Sequence, residues 1–230
     1  MIDLLGLDLQ APVFYNPAPF DHCVIDNFLP EEIAKQASAD FPSYNDPEWY
    51  CYDDARQNKK SLNNWYRFPP TTYSIFSYLC SPEWCNKLGK SIGKELLADY
   101  GLHGGGWHIH GVGGDLNPHL DYSLHPKLGL QRKLNIIVYL TPDWQPEWNG
   151  ALGLWEAKGN APDKLLKEVV PQFNRAVIFD TTQNSWHGMS KPLALPPDHY
   201  RKSIAVYYLC TPSANPDQRT QAFFSLRGAK

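Results

Sequence analysis

Residues 132–140 read Arg132-Lys133-Leu134-Asn135-Ile136-Ile137-Val138-Tyr139-Leu140. Extended, this run puts Leu134, Ile136, Val138 and Leu140 on one face and Asn135, Ile137 and Tyr139 on the other, because alternate side chains of a strand project to opposite sides. One face is wholly apolar and the other amphipathic. The run from Arg201 to Leu209 divides in the same way, with Ile204, Val206 and Tyr208 on one side and Arg201, Ser203, Ala205 and Tyr207 on the other. An arginine beside small residues on a strand face points to a cavity, although an arginine at a strand end often simply meets water.

Outward from these two strands, Trp107–Val112, Ala151–Trp155 and Arg175–Phe179 have the same character, separated by turn residues after Gly104-Gly105-Gly106. Ahead of that glycine run the pattern is helical. Pro30-Glu31-Glu32 opens a short helix through Ile33, Ala34 and Ala37. Ser81-Pro82-Glu83 opens a longer one, whose Trp84, Leu88, Ile92 and Leu96 recur every four residues and predict a helix to about Tyr100. Helices followed by many strands read as α+β, with a strand-rich half long enough for a jelly roll or a small barrel. With no repeat or linker to divide it, the chain is expected to form one domain. Residues 1–103 supply helical support and substrate-side loops, 104–210 the strand core and 211–230 a C-terminal extension.

The composition agrees with one large core. Of 230 residues, 43% are hydrophobic and 20% charged, and a net charge of -3 provides no basic field for a phosphate backbone. Nucleic acid is therefore excluded as a general partner. Five cysteines without paired spacing argue against a disulfide framework or zinc knuckle, and no continuous apolar segment suggests a signal peptide or a membrane span. A cytoplasmic protein is expected.

Two of the eight histidines stand out: His119, in His119-Leu120-Asp121, and His187, in Ser185-Trp186-His187-Gly188. Residues i and i+2 of an extended segment face the same way, so an imidazole and a carboxylate can converge on one ion, and a second imidazole from a neighbouring strand makes three ligands. Two histidines and a carboxylate with open positions are the pattern of non-haem iron(II) oxygenases. Fourteen residues after His187, Arg201 and Ser203 share a strand face. A guanidinium there can hold a carboxylate through two parallel hydrogen bonds, with Tyr139 as a further donor.

In these residues the chain resembles the iron(II)/2-oxoglutarate-dependent dioxygenases, most closely the prolyl 4-hydroxylase-like branch. The resemblance rests on Val24-Ile25-Asp26-Asn27-Phe28-Leu29-Pro30, the His119–Asp121 pair, Asn135–Leu140 with Asp143-Trp144, Gly150–Trp155, Asn174–Phe179, His187 and Arg201–Tyr208. It implies a double-stranded β-helix core with the N-terminal helices packed on the outer sheet. His119, Asp121 and His187 are then the iron(II) ligands and Arg201 the anchor of 2-oxoglutarate, with Tyr139, Ser203 and Asn135 as further contacts. The resemblance also implies O2 as cosubstrate, ascorbate as a reductant, succinate and CO2 as co-products, and a small-molecule or peptidyl substrate. Asp121 favours hydroxylation over halogenation, since related halogenases lack this carboxylate.

His110 is expected to line the pocket and His108 to be structural. Trp65 is expected to contact substrate from a polar, lid-like loop spanning residues 52–67, in which Lys59-Lys60 reads as a solvated pair. Two other readings share the architecture: a cupin using His108-Ile109-His110, and a carbohydrate-binding jelly roll using exposed aromatics.

Overall fold

The computed structural model describes residues 6–14 and 16–228. In chain order its elements are β1 (His22–Ile25), α1 (Glu31–Ala39), β2 (Tyr50–Asp54), β3 (Gln57–Leu62), α2 (Pro70–Leu79), α3 (Pro82–Ile92), β4 (Leu97–Ala98), β5 (Gly106–His110) and β6 (Asp115–Leu116). There follow β7 (His119–Leu120), β8 (Gln131–Tyr139), β9 (Leu152–Lys158), β10 (Ala161–Val169), β11 (Arg175–Asp180), β12 (His187–Met189), β13 (Arg201–Cys210) and β14 (Phe223–Phe224). The strands form two antiparallel sheets. The larger runs β1-β11-β8-β13-β5-β3-β2, with β4 beside β13 and β6 beside β3, and the smaller runs β10-β9-β12-β7-β14. Mostly antiparallel strands in two curled sheets with few helices agree with a jelly-roll core.

The alternation read in β8 and β13 decides what each side of the large sheet meets. Ile136, Val138, Ile204, Val206 and Tyr208 join one hydrophobic core with Ala34, Ile75, Trp84 and Leu88 from the helices. The opposite faces turn toward the small sheet and a cavity. Trp84 Nε1 donates to the Tyr208 hydroxyl at 2.8 Å, and that hydroxyl donates to the Leu79 carbonyl at 3.0 Å. Two large aromatic side chains are thereby buried with their polar atoms satisfied, and truncating either to alanine would cost about 3–5 kcal/mol.

The second long helix stops earlier than its spacing predicts. Ser81 caps α3 by accepting the Trp84 N–H, and Gly93 ends it with φ +64°, a left-handed conformation that side chains disfavour. Leu96 is still buried, but it leads into β4, which pairs with Tyr208 and Leu209. A second correction concerns residues 52–67, which form most of the β2–β3 hairpin and a 3-10 turn at Trp65–Arg67. The C-terminal extension is also more than an appendage, since β14 is an edge strand of the small sheet. Among the described residues no helix is long and apolar enough to cross a membrane.

Candidate active site

The short strands β7 and β12 place His119 and His187 directly opposite each other, and Asp121 follows two residues after His119. All three are buried, and one ligand atom from each falls within 4.8 Å of the others. His119 Nδ1 is 2.9 Å from the Asn117 carbonyl, and His187 Nδ1 is 2.8 Å from the Ser185 carbonyl. A carbonyl only accepts, so both Nδ1 atoms carry the proton and both Nε2 lone pairs are left for an ion. Those Nε2 atoms lie 3.7 Å from Asp121 Oδ1 and Oδ2 respectively. Asp121 Oδ2 is buried without a hydrogen-bond partner, an arrangement that is costly unless a cation satisfies it. The donor set therefore fits a divalent first-row metal. Among the described residues no other group of three such side chains converges in this way, so His108 and His110 do not build the cupin site.

The electrostatics keep the ligands in their metal-binding forms. Burial, reinforced by His187, pushes His119 down to about 3, so its ring is neutral. Burial also lowers His187, against the pull of Asp121. For Asp121 burial alone would raise the pKa, but Arg132 and the two imidazoles outweigh it and hold the carboxyl below its ordinary value. Arg132 is itself fixed by two rings, with its guanidinium carbon 3.4 Å from the Tyr122 centroid and 3.3 Å from that of Tyr207. Its Nη2 donates to the His103 carbonyl at 2.7 Å.

A cavity of about 510 Å³ extends from this cluster between the sheets. Arg201, at the start of β13, lines it and is 6% exposed, which rejects the solvent-facing alternative for this residue. Its Nε donates to the Gly150 carbonyl at 3.0 Å, and no carboxylate among the described residues pairs with it. The terminal amino groups are left for a ligand. Gly150 has φ +68°, and a Cβ there would lie 2.2 Å from Leu193 Cδ2 and 3.4 Å from Arg201 Cδ, so glycine keeps this corner open.

Ser203 and Asn135 line the same cavity, Asn135 with a buried, unpartnered Oδ1. His110 lies there too, paired in register with Arg201, and both its ring nitrogens lack partners. Tyr139 stands behind the wall. Its ring lies under Arg201, with 4.7 Å from guanidinium carbon to centroid, and its hydroxyl is buried and unpartnered. Trp65 does not reach the cavity: its Nε1 donates to the Tyr100 carbonyl at 2.8 Å, and its ring packs edge-on against Phe68, Tyr73 and Phe76. Its place on the hairpin side is taken by Tyr50, Tyr52, Gln57, Lys59 and Ser61.

Sequence reasoning missed three wall elements. His108 lines the cavity with an unpartnered Nε2, although it read as structural. Lys59 and Lys60 read as a solvated pair, yet strand alternation sends Lys59 into the cavity and Lys60 to the Tyr44 carbonyl at 2.7 Å. The alternation of Gln57, Lys59 and Ser61 was available as a signal, masked by their polarity. Phe224 of β14 stacks on His119 with centroids 4.9 Å apart, a long-range contact with no local sequence signature.

A family model described as the 2OG-Fe(II) oxygenase superfamily matches residues 105–209. Prolyl 3-hydroxylase OGFOD1 of Mus musculus is 25% identical over 195 residues, which is 76% of this chain and 30% of that protein, so the chain spans less than a third of this relative's length. Among solved structures, a Pseudomonas putida prolyl-4-hydroxylase superposes with a TM-score of 0.59 at 15% identity, covering 84% of this chain and 93% of that one. A Trichoplax adhaerens prolyl hydroxylase, in complex with a hypoxia inducible factor oxygen degradation domain peptide fragment, gives a TM-score of 0.55 at 16% identity, covering 82% of this chain and 83% of that one. At these identities the structural likeness speaks for the fold.

Proposed function

The chain belongs to the 2OG-Fe(II) oxygenase superfamily, and on that premise we propose that it is an iron(II)- and 2-oxoglutarate-dependent dioxygenase that hydroxylates an unactivated C–H bond. The observation that carries this reading is the pairing, in one cavity, of a His119–Asp121–His187 cluster having an orphaned carboxylate oxygen with a buried arginine having no acidic partner. One feature asks for a cation and the other for a carboxylate. A metal-chelating dicarboxylate answers both.

In this reading His119, Asp121 and His187 would hold iron(II), which when bound supplies the capacity to activate O2 while 2-oxoglutarate is oxidised to succinate and CO2. Arg201 holds the far carboxylate of 2-oxoglutarate through charge-assisted hydrogen bonds, and the Tyr139 ring beneath it fixes the guanidinium plane. Ser203 and Asn135 offer neutral polar contacts along the cosubstrate. The backbone carbonyls of Asn117 and Ser185 orient the two imidazoles. All three ligands are buried, so 2-oxoglutarate and substrate filling the cavity would complete their shielding from water. Asp121 would supply the carboxylate ligand that related halogenases lack, which favours hydroxyl transfer.

The substrate in this reading is a peptidyl group or a small molecule, and ascorbate serves as an external reductant. The Trichoplax relative's peptide supports the first option by analogy of fold alone. In this reading the chain is a single domain, with α1–α3 supporting the large sheet; the core that helices and sheet share among the described residues and the Trp84–Tyr208 hydrogen bond favour this. Five unpaired thiols suit a reducing cytoplasmic compartment.

Anaerobic reconstitution with iron(II) and 2-oxoglutarate, then exposure to O2, tests the proposal. Succinate release that requires both iron and 2-oxoglutarate is expected. Its absence from protein that has bound both would overturn the reading.

A further inference from the structure

The charges lining the cavity do not balance. Among the described residues its cationic side chains are Lys59, Arg132 and Arg201, and its one carboxylate is Asp121. Asp121 and Arg132 offset each other at 3.5 Å. A divalent ion and a 2-oxoglutarate dianion likewise cancel. Arg201 and Lys59 remain, two positive charges in a space where the neighbouring histidines are held neutral.

The two residues also lie in one row of the large sheet. Arg201 of β13 is opposite His110 of β5. The β5–β3 register pairs Ile109 with Lys60, and its continuation puts Lys59 beside His110. Arg201 and Lys59 are thus two strand spacings apart, about 10 Å at the backbone, with a neutral imidazole between them. Lys59 Nζ lies 5.1 Å from the Tyr52 ring centroid, and Lys59 makes no hydrogen bond or ion pair to a described residue. The same cavity wall carries the unpartnered nitrogens of His108 and His110.

We propose that Lys59 anchors a second carboxylate, carried by the substrate, on the large-sheet wall of the cavity, so that this enzyme acts on an organic acid. The proposal rests on the reading of Arg201 as the 2-oxoglutarate anchor. A single ammonium among neutral donors suits a monoanion such as a carboxylate, whereas a phosphate dianion calls for more positive charge than Lys59 alone supplies. Burial lowers Lys59 to about 8, and a bound carboxylate would restore its preference for the charged form.

Saturation-transfer NMR with acetate and acetamide as probes tests the anchor, using zinc(II) in place of iron and saturating 2-oxoglutarate, whose own signal is read in the same spectra. Acetate is expected to take up saturation from the wild-type protein well above acetamide. Lys59→Met should weaken the apparent acetate affinity roughly tenfold with the 2-oxoglutarate signal unchanged, and Lys59→Arg should restore it. Equal transfer to the two probes, an acetate signal that survives Lys59→Met, or one that 2-oxoglutarate displaces would each overturn the proposal. Loss of the 2-oxoglutarate signal from wild type would instead count against the cosubstrate reading, and a Lys59-dependent acetate signal would still support the anchor.

Discussion

Arg132 Nη1 lies 3.5 Å from Asp121 Oδ1, with the guanidinium clamped between the rings of Tyr122 and Tyr207. The clamp keeps a positive charge beside a carboxylate that burial would otherwise drive toward its neutral form. Arg132 also restrains one carboxylate oxygen and leaves Oδ2 without a partner.

Replacing Arg132 with methionine is therefore expected to weaken Mn(II) binding about 10–100-fold, the range for loss of a partner that orients a metal ligand. It should also destabilise the metal-free protein by about 3–5 kcal/mol, because one member of a buried ion pair is left alone. Isothermal titration and urea melts measure the two effects. Wild-type values in both would mean that the pair does not support Asp121.

His187→Ala and His119→Ala should each abolish measurable Fe(II) and Mn(II) binding while leaving far-UV circular dichroism unchanged, since both rings sit on short strands outside the main core cluster. Metal titration by electron paramagnetic resonance is the check. Retention of stoichiometric metal by either variant would remove that residue from the ligand set.

Arg201→Ala removes a buried guanidinium whose terminal amino groups have no acidic partner in the protein. The expected loss in 2-oxoglutarate affinity is about 2–5 kcal/mol, or roughly 30-fold and upward, with metal affinity nearly unchanged. Fluorescence or calorimetric titration in the presence of Mn(II) separates these. An unchanged 2-oxoglutarate affinity would show that the cosubstrate's far carboxylate lies elsewhere.

The metal-free protein should lose stability in mild acid. Burial lowers His119 from an ordinary 6.5 to about 3, and His108, His110 and His187 are lowered in the same direction. The unfolded chain then binds protons that the folded chain refuses. This contribution to stability is complete above about pH 6.5 and is lost as the pH falls toward the folded values. Urea midpoints at pH 7.5 and pH 5 should differ accordingly, and bound metal should protect until protons displace it. Equal midpoints for the metal-free protein would mean that these rings are solvated.

The long strands β8 and β13 were legible because each carries a two-sided pattern over nine or more residues, as Ile136 and Val138 against Asn135 and Tyr139 show. The metal ligands were legible because His119 and Asp121 have strand spacing and His187 follows an apolar strand. The hairpin wall was not. Gln57, Lys59 and Ser61 alternate with Asn58 and Lys60, polar against polar, so hydrophobic periodicity had nothing to detect. Strand β10 escaped for the same reason, since most of its side chains are exposed. Trp65 misled because a tryptophan in a polar stretch suggested a ligand contact, whereas its ring completes an aromatic cluster with Phe68, Tyr73 and Phe76.

The end of the chain also bears on the metal site. Phe224 stacks on His119, β14 pairs with β7, and the Arg227 backbone N–H donates to Asn117 Oδ1 at 2.8 Å. Asn117 in turn supplies the carbonyl that fixes the His119 ring, so the C-terminal strand braces one imidazole from two directions. Phe224→Ala should release metal about three- to tenfold faster and lower stability by about 1–2 kcal/mol, consistent with loss of one half-buried aromatic contact. Stopped-flow chelation by a chromogenic ligand gives the rate. Phe224→Leu, which keeps apolar cover without the stacked ring, should recover most of the stability and less of the metal retention. If alanine and leucine release metal at the wild-type rate, β14 covers His119 without bracing it.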